Sequence, residues 1–289
     1  MKKIQLSNNA DRRLKPLLSA VRSGGMVALR TNPCTAKRFE KGGSKFATAA
    51  SDYATSADVD SEAAILGECQ RSHLLKKILF VGEESVDIDG ALPPTYLAVD
   101  PVDGTFAKTN SCDTWAVSAG LVENGRPHLG VIWQPERDVW IVAEVGSCCL
   151  INNEIPKQWD GRALKDTFYG LDIGNLGPWY QKELYEQVVL PLNGKFRACI
   201  SLCACIGSIV HILEGKTAAY INFGAKIWDI AAAAVAIEQV GGVICSIDGS
   251  PLNYTNIKQQ FVAARTPEIA EHVLEITKPY AEFMRSKGN

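Results

Sequence analysis

The sequence predicts an α/β (α+β) protein built as stacked layers of helix and sheet, and three patterns predict it. An apolar stripe of helical period opens the chain. Short β-branched and aromatic runs separated by turn residues fill positions 78–151, and strands alternate with helices from position 152 onward. A chain of 289 residues is long enough for one large domain or two smaller ones. The change of pattern divides it into an N-terminal α+β half, 1–151, and a C-terminal α/β half, 152–289.

In the first half, Leu14, Leu17, Leu18, Val21 and Met26 recur at helical spacing, so a helix is expected from about residue 10 to 30, interrupted at Gly24-Gly25. The following stretch, 31–55, carries Lys37, Arg38, Lys41, Gly42, Gly43 and Lys45; this lysine-rich loop is either a solvated connection or a lid whose lysines meet phosphate. A second helix is expected over 56–73, with Asp58 and Asp60 in its first turn, where acids favour the helix dipole whether or not they do chemistry. Strands follow at 78–81, 96–99, 115–122, 129–133, 139–144 and 148–151. Turn residues at 123–126 and 134–138 make the middle of this sheet an antiparallel meander, which argues against a simple parallel doubly wound fold. In the second half the expected order is strand 167–173, helix 179–189, strand 195–200, helix 204–214, strand 218–222, helix 228–240, strands 243–247 and 261–264, and a closing helix 267–285.

The balance of 30 basic against 32 acidic residues leaves no excess charge to attract a nucleic acid polymer or a membrane surface. The first ten residues lack the apolar core of a signal peptide and no segment has the length of a membrane-spanning helix, so a soluble, cytoplasmic protein is expected. The nine cysteines form no Cys-x-x-Cys pair and sit mostly in apolar runs, which reads as buried reduced thiols. His73, His128, His211 and His272 are scattered without metal-ligand spacing. The tryptophans of the meander, Trp115, Trp133 and Trp140, read as packing or subunit-interface residues.

Chemistry concentrates in Asp100-Pro-Val-Asp-Gly-Thr105, at the end of the apolar run 96–99. Two carboxylates a few ångströms apart repel by about 1 kcal/mol in water and by several times that in a protein cleft, a cost that a divalent cation turns into binding. Pro101 has no N–H, which leaves the Val102 carbonyl free to turn toward a cation between Asp100 and Asp103. Gly104 permits close backbone approach, and the N–H groups of Gly104 and Thr105 are suited to a phosphate oxygen. An all-oxygen ligand set favours magnesium or manganese over zinc. Val81-Gly-Glu-Glu-Ser85 ends the preceding strand, so adjacent strands would bring Glu83 close to Asp100. Asp229 opens an apolar, small-residue helix; alone it is as well explained by the helix dipole.

Read in order, Gly82-Glu-Glu-Ser85, Asp100-Pro-Val-Asp-Gly-Thr105 and Trp228-Asp-Ile-Ala-Ala232 resemble the inositol monophosphatase family of metal-dependent, lithium-sensitive phosphatases. Thr55-Ser-Ala-Asp58 with Glu62, Ala116-Val-Ser-Ala-Gly-Leu121 and Gln239-Val-Gly-Gly-Val243 extend the likeness over roughly residues 50–265. The resemblance implies an αβαβα sandwich of the inositol monophosphatase / fructose-1,6-bisphosphatase type and a homodimer. It implies two or three magnesium ions held by Glu83, Asp100, the Val102 carbonyl, Asp103 and Asp229, with manganese a possible substitute. Such ions bind phosphate and lower the pKa of the attacking water. Asp58 and Thr105 would form the pair that helps deprotonate that water, Glu83 would help position it, and Glu84 would orient neighbouring groups. Asp103, Gly104, Thr105, Asn222 and Lys226 would meet the substrate.

The chain departs from the family where the alcohol is recognised. Phe106-Ala-Lys108 replaces the usual residues after the threonine, Cys203-Ala204 stands in place of Gly-Ser or Gly-Thr, and Asn222 stands where the family has a glutamate. Lys226 is either a contact for the alcohol part or a second phosphate, or a surface lysine. The leading expectation is hydrolysis of inositol monophosphate or a similar small polyol phosphate. The alternatives are a 3'(2'),5'-bisphosphate nucleotidase or sugar-bisphosphate phosphatase, and a metal-binding regulatory protein that has lost turnover.

Overall fold

The computed structural model describes residues 2–40, 53–88, 90–173 and 182–287. Helix α1 (Leu14–Arg30) packs beside α2 (Ser56–Arg71), and both lie on one face of a six-stranded sheet. The glycine pair does not interrupt α1: both glycines are buried, and a Cβ on Gly24 would overlap Ile65 of α2 while one on Gly25 would overlap Trp133 of the sheet. Packing at close approach therefore decides these positions over helix propensity. Thr55 caps α2 in a reciprocal box, its hydroxyl accepting from Ala57 N at 3.2 Å and its own N–H donating to Asp58 at 2.8 Å. Before it, β1 (Arg38–Glu40) and β2 (Tyr53–Thr55) pair antiparallel. Lys41, Gly42, Gly43 and Lys45 of the lysine-rich loop lie outside the described residues.

The six-stranded sheet runs in chain order: β3 (Phe80–Gly82), β4 (Tyr96–Asp103), β5 (Ala116–Glu123), β6 (Arg126–Gln134), β7 (Val139–Glu144) and β8 (Cys149–Ile151). All neighbours are antiparallel except β3 and β4, so the meander expected from the turn residues is present. A short helix α3 (Thr105–Thr109) leaves β4.

The second sheet has the order β10-β9-β11-β13-β12, formed by β9 (Phe168–Asp172), β10 (Ala198–Ile200), β11 (Thr217–Lys226), β12 (Val243–Ser246) and β13 (Lys258–Ala264). A π-helical turn, Tyr185–Val189, runs into Leu190–Lys195, and together they make α4. Helix continues here past the expected end at 189 to Lys195, the first residue of the expected strand, because Pro191 sits at the first turn of the α-helical part, where its missing N–H costs nothing. The start of the helix expected at 179 lies outside the described residues.

Helices α5 (Cys205–Leu213) and α6 (Ala231–Gln239) fill the space between the sheets. Helix α7 (Pro267–Ser286) and α4 cover the outer face of the second sheet. The order is thus α1/α2, sheet, α5/α6, sheet, α4/α7: the layered αβαβα sandwich. Three cores result, and the middle one draws side chains from both sheets, Val81 and Ala98 from the first and Tyr220 and Phe261 from the second. All nine cysteines are free, but only Cys69, Cys149, Cys205 and Cys245 are buried; the apolar runs read as core extend into turns and strand ends that leave Cys34, Cys112, Cys199 and Cys203 exposed. Among the described residues no helix is long and apolar enough to cross a membrane.

Candidate active site

The site grows from a distortion in β4. That strand does not stop at Asp100 but continues to Asp103, and between them its register against β5 shifts: Asp100 faces Ser118 whereas Asp103 faces Ala116. The extra residue on β4 is a bulge at Pro101, which has no N–H to give to the ladder. The Pro101 carbonyl accepts from Ser61 Oγ at 3.0 Å, and Asp100 Oδ1 accepts from Val102 N at 3.0 Å. Gly104 then turns the chain with φ +81°, and a Cβ there would lie 2.7 Å from that of Ala204, so backbone conformation and close approach both require glycine.

The neighbouring strand supplies the next acid. Gly82 of β3 is registered with Val99 of β4, and Glu83 N donates to the Val99 carbonyl at 3.2 Å. Glu83 and Asp100 consequently line one cleft of about 270 Å³ together with Val102, Asp103, Gly104, Thr105, Asn222 and Asp229. Of the candidate site residues singled out in the sequence, Asp58, Glu84 and Lys226 do not line it. Glu84 N donates to Glu62 Oε2 at 2.9 Å, tying the β3 end to α2. Lys226 lines the groove next door.

Asp58 lies beneath the cleft, fully buried. Thr105 Oγ1 donates to Asp58 Oδ1 at 2.6 Å, and Thr55 N donates to the other carboxylate oxygen at 2.8 Å. The acid at the start of α2 is thus both a cap and the acceptor for the threonine hydroxyl.

Asp103 and Asp229 are held by backbone N–H groups. Cys205 N donates to Asp103 Oδ1 at 2.7 Å and Gly207 N to Oδ2 at 3.0 Å; Lys226 N donates to Asp229 Oδ2 at 2.7 Å. Asp229 does not open a continuous α-helix: it closes a 3-10 turn, Ile227–Asp229, before α6 begins at Ala231. Burial pushes Asp103 up to about 7 despite its N–H donors, and burial followed by the charge of Glu83 pushes Asp229 up to about 8.

Asn222 faces the cleft with its amide engaged at both ends. Its Nδ2 donates to Tyr220 Oη at 2.8 Å and its Oδ1 accepts from Gly224 N at 2.8 Å. The side chain thereby frames a register shift in β11 between Asn222 and Ala225.

Sequence reasoning missed Asp172 and Tyr53, which also line the cleft. Asp172 is the last residue of β9 and is registered beside Asn222 of the parallel strand β11. Its signal was its place at the carboxyl end of a parallel strand, where ligands collect in α/β sheets. Tyr53, adjoining the lysine-rich loop, shares a hydrogen bond of 2.7 Å with Thr109.

The donor chemistry fits hard divalent cations. Five carboxylates, Glu83, Asp100, Asp103, Asp172 and Asp229, line a cleft to which, among the described residues, no lysine, arginine or histidine contributes, and Asp103 and Asp229 are held toward the protonated form by burial and by Glu83. Among the described residues no three acidic, histidine or cysteine side chains converge closely enough to form a metal cage by themselves. The fit therefore rests on donor type and charge.

Comparison with known proteins bears on this arrangement. The inositol monophosphatase family model matches residues 13–282. Relatives include the "Nus factor SuhB" of Pasteurella multocida, 25% identical over 231 residues, covering 79% of this chain and 83% of that one. The "Inositol-1-monophosphatase" of Bacillus subtilis is 25% identical, covering 78% and 83%, and the human "Inositol monophosphatase 2" is 27% identical, covering 77% of each. Among solved structures, the extragenic suppressor protein suhB of Bartonella henselae superposes with a TM-score of 0.80 at 22% identity, covering 93% of this chain and 99% of that one. The Thermotoga maritima IMPase superposes with a TM-score of 0.76 at 20% identity, covering 94% and 99%; these two likenesses bear on the fold. With the matched model running from the first helix to the last, the chain belongs to the inositol monophosphatase family.

Proposed function

We propose that the protein is a magnesium-dependent phosphatase that hydrolyses a small phosphate monoester, inositol monophosphate or a similar polyol phosphate, by attack of an activated water. The observation that carries this reading is the Thr105–Asp58 hydrogen bond of 2.6 Å at the edge of a cleft lined by five carboxylates. Glu83, Asp100, the Val102 carbonyl, Asp103 and Asp229 would hold the magnesium. Bound there, it supplies positive charge for the phosphate and lowers the pKa of the attacking water.

The protein's own groups then handle orientation and the proton. Thr105 Oγ1 gives its hydrogen to Asp58, which turns the oxygen's lone pairs outward to accept a proton from water. As that proton arrives, the threonine hydrogen passes to Asp58 Oδ1. Asp58 is kept in place by Thr55, whose N–H occupies Oδ2. Backbone donors from Cys205 and Gly207 fix Asp103, so the cleft wall is oriented before substrate enters. The family resemblance supports a homodimer, and the near-neutral charge balance supports an enzyme that does not act on nucleic acid polymers; the lack of a membrane-length apolar segment among the described residues is compatible with the expected cytoplasmic location.

A phosphate-release screen of inositol, sugar and nucleotide phosphates, with and without magnesium and then with added lithium, tests the reading. Release is expected only with magnesium, to be reduced by lithium, and to be abolished in Asp100→Asn without loss of the fold. Magnesium binding with no release from any ester would identify a regulatory protein instead, and normal turnover by Asp100→Asn would remove the metal assignment.

A further inference from the structure

Thr105 enters the cleft from the helix that leaves the first sheet, whereas Asp172, Asn222 and Gly224 enter it from β9 and the late part of β11 in the second. In a phosphoryl transfer the attacking and leaving oxygens stand roughly in line, on opposite sides of phosphorus. The Thr105–Asp58 pair marks the side of the water. The alcohol part of an ester therefore points toward the wall built by the second sheet.

On that wall Asn222 and Asp172 lie side by side, registered across the parallel pair β11–β9. Asn222 is buried and its amide is engaged inside the fold: Nδ2 donates to Tyr220 Oη and Oδ1 accepts from Gly224 N, each at 2.8 Å. Its carbonyl oxygen keeps one lone pair and carries no charge. Burial above all, followed by the charges of Cys205 and Asp172, pushes the Tyr220 hydroxyl well up, so the Asn222–Tyr220 pair stays neutral. Asp172 is only half-buried, which leaves it open to a solute, and a carboxylate offers about four acceptor positions and no donor. A hydroxyl of the alcohol part would give it a charge-assisted hydrogen bond. An anionic substituent would instead face Asp172 with no protein cation beside it, since among the described residues no lysine, arginine or histidine lines the cleft.

We infer that Asp172 sets specificity on the leaving-group side: it accepts a hydrogen bond from a hydroxyl of the alcohol part, so that the substrate is a monoester of an uncharged polyol. The inference deepens the phosphatase reading and rests on it. Water oxygen bonds to phosphorus, the P–O bond to the alcohol breaks, and the alcohol leaves with a proton. Asp172 holds a separate hydroxyl and takes no part in that proton transfer. A site built to hydrogen-bond a hydroxyl discriminates against the analogue that lacks it, because the acceptor is then left without its partner.

The test compares kcat/KM for inositol 1-phosphate with that for cyclohexyl phosphate, which has the same ring and no free hydroxyl, at fixed magnesium. The wild type is expected to prefer inositol 1-phosphate by more than about tenfold. Asp172→Asn should bring the preference below about threefold, chiefly through KM for inositol 1-phosphate. The same variant should use 3-phosphoglycerate better relative to glycerol 1-phosphate, by about threefold or more, a gain that a merely structural lesion does not give. Its unfolding midpoint should respond to magnesium as the wild type's does, which separates Asp172 from the proposed cation ligands. A wild type indifferent to the ring hydroxyls, a preference that survives in Asp172→Asn, or a variant whose midpoint no longer responds to magnesium would overturn the inference. If the wild type hydrolyses no ester, the phosphatase reading fails, and calorimetric titration with inositol 1-phosphate at the same magnesium concentration still decides the role of Asp172. Binding weakened about tenfold or more in Asp172→Asn supports it, and unchanged binding refutes it.

Discussion

At the scale of single residues, the proposed proton path depends on one hydroxyl. Among the described residues, Thr105 Oγ1 is the only group in hydrogen-bond contact with both Asp58 and the Val102 carbonyl, the latter at 3.4 Å. Replacing it by valine keeps the shape and removes the relay, so Thr105→Val is expected to lower kcat by about 10²- to 10⁴-fold, the range typical of positioned acid–base groups, with little change in KM. Thr105→Ser should recover most of the rate, and steady-state phosphate release checks both. An unaltered kcat in Thr105→Val would remove the pair from the mechanism. Asp100 and Asp103 were legible from sequence because their chemistry is local, two acids around a proline. The Asp58–Thr105 contact spans 47 positions, and no spacing rule reaches that far; only the likeness to a family suggested it. Asp172 escaped notice because nothing beside it in sequence marks it, its meaning coming from the parallel register with Asn222.

Among the elements, α6 decides how closely the two sheets approach. Its run of alanines lies against β5 and β6, where a Cβ on Gly120 would overlap the Ala232 backbone N and one on Gly130 the Ala232 carbonyl. Because these neighbours are backbone atoms, no rotamer change relieves the overlap. Gly120→Ala is expected to destabilise the protein by about 1–3 kcal/mol or more, the range for overpacked cores, and to reduce activity as well, since Asp229 sits one short turn before α6. Urea unfolding at fixed magnesium reads the first effect and phosphate release the second. An unchanged unfolding midpoint would show that α6 shifts freely. Glycines of this kind also explain where element boundaries were misread. Gly24-Gly25 reads locally as a break in α1, yet both are needed where the helix meets Ile65 and Trp133, and tertiary contact overrides propensity.

Across the whole molecule, the acid cleft lies where the two sheets face each other. Glu83, Asp100 and Asp103 come from the edge of the first sheet, Asn222 and Asp172 from the second, and Asp229 from the turn that follows β11. The alternation of patterns revealed the layers, while the order β10-β9-β11-β13-β12 that brings β9 beside β11 could not be read from sequence, because strand order depends on crossovers with no local signature. In the proposed function this arrangement would couple metal binding to the stability of the entire sandwich. Without a cation, burial and mutual charge hold Asp103 and Asp229 toward the protonated form, which is a cost of the native state. The unfolded chain disperses those acids and loses the site. Under the proposed function magnesium would bind the native form preferentially, and a ligand at 100 times its dissociation constant stabilises by about 2.7 kcal/mol. Saturating magnesium is therefore expected to raise the unfolding midpoint of the metal-stripped protein by an increment of that order, with chelator reversing it. Asp100→Asn should lose most of the increment while unfolding normally in its absence, because Asp100 is buried in the strand that carries the bulge. Thermal unfolding with and without chelator measures this independently of any substrate. A midpoint indifferent to magnesium in the wild type would mean that the carboxylates of the two sheets do not act as one cation site.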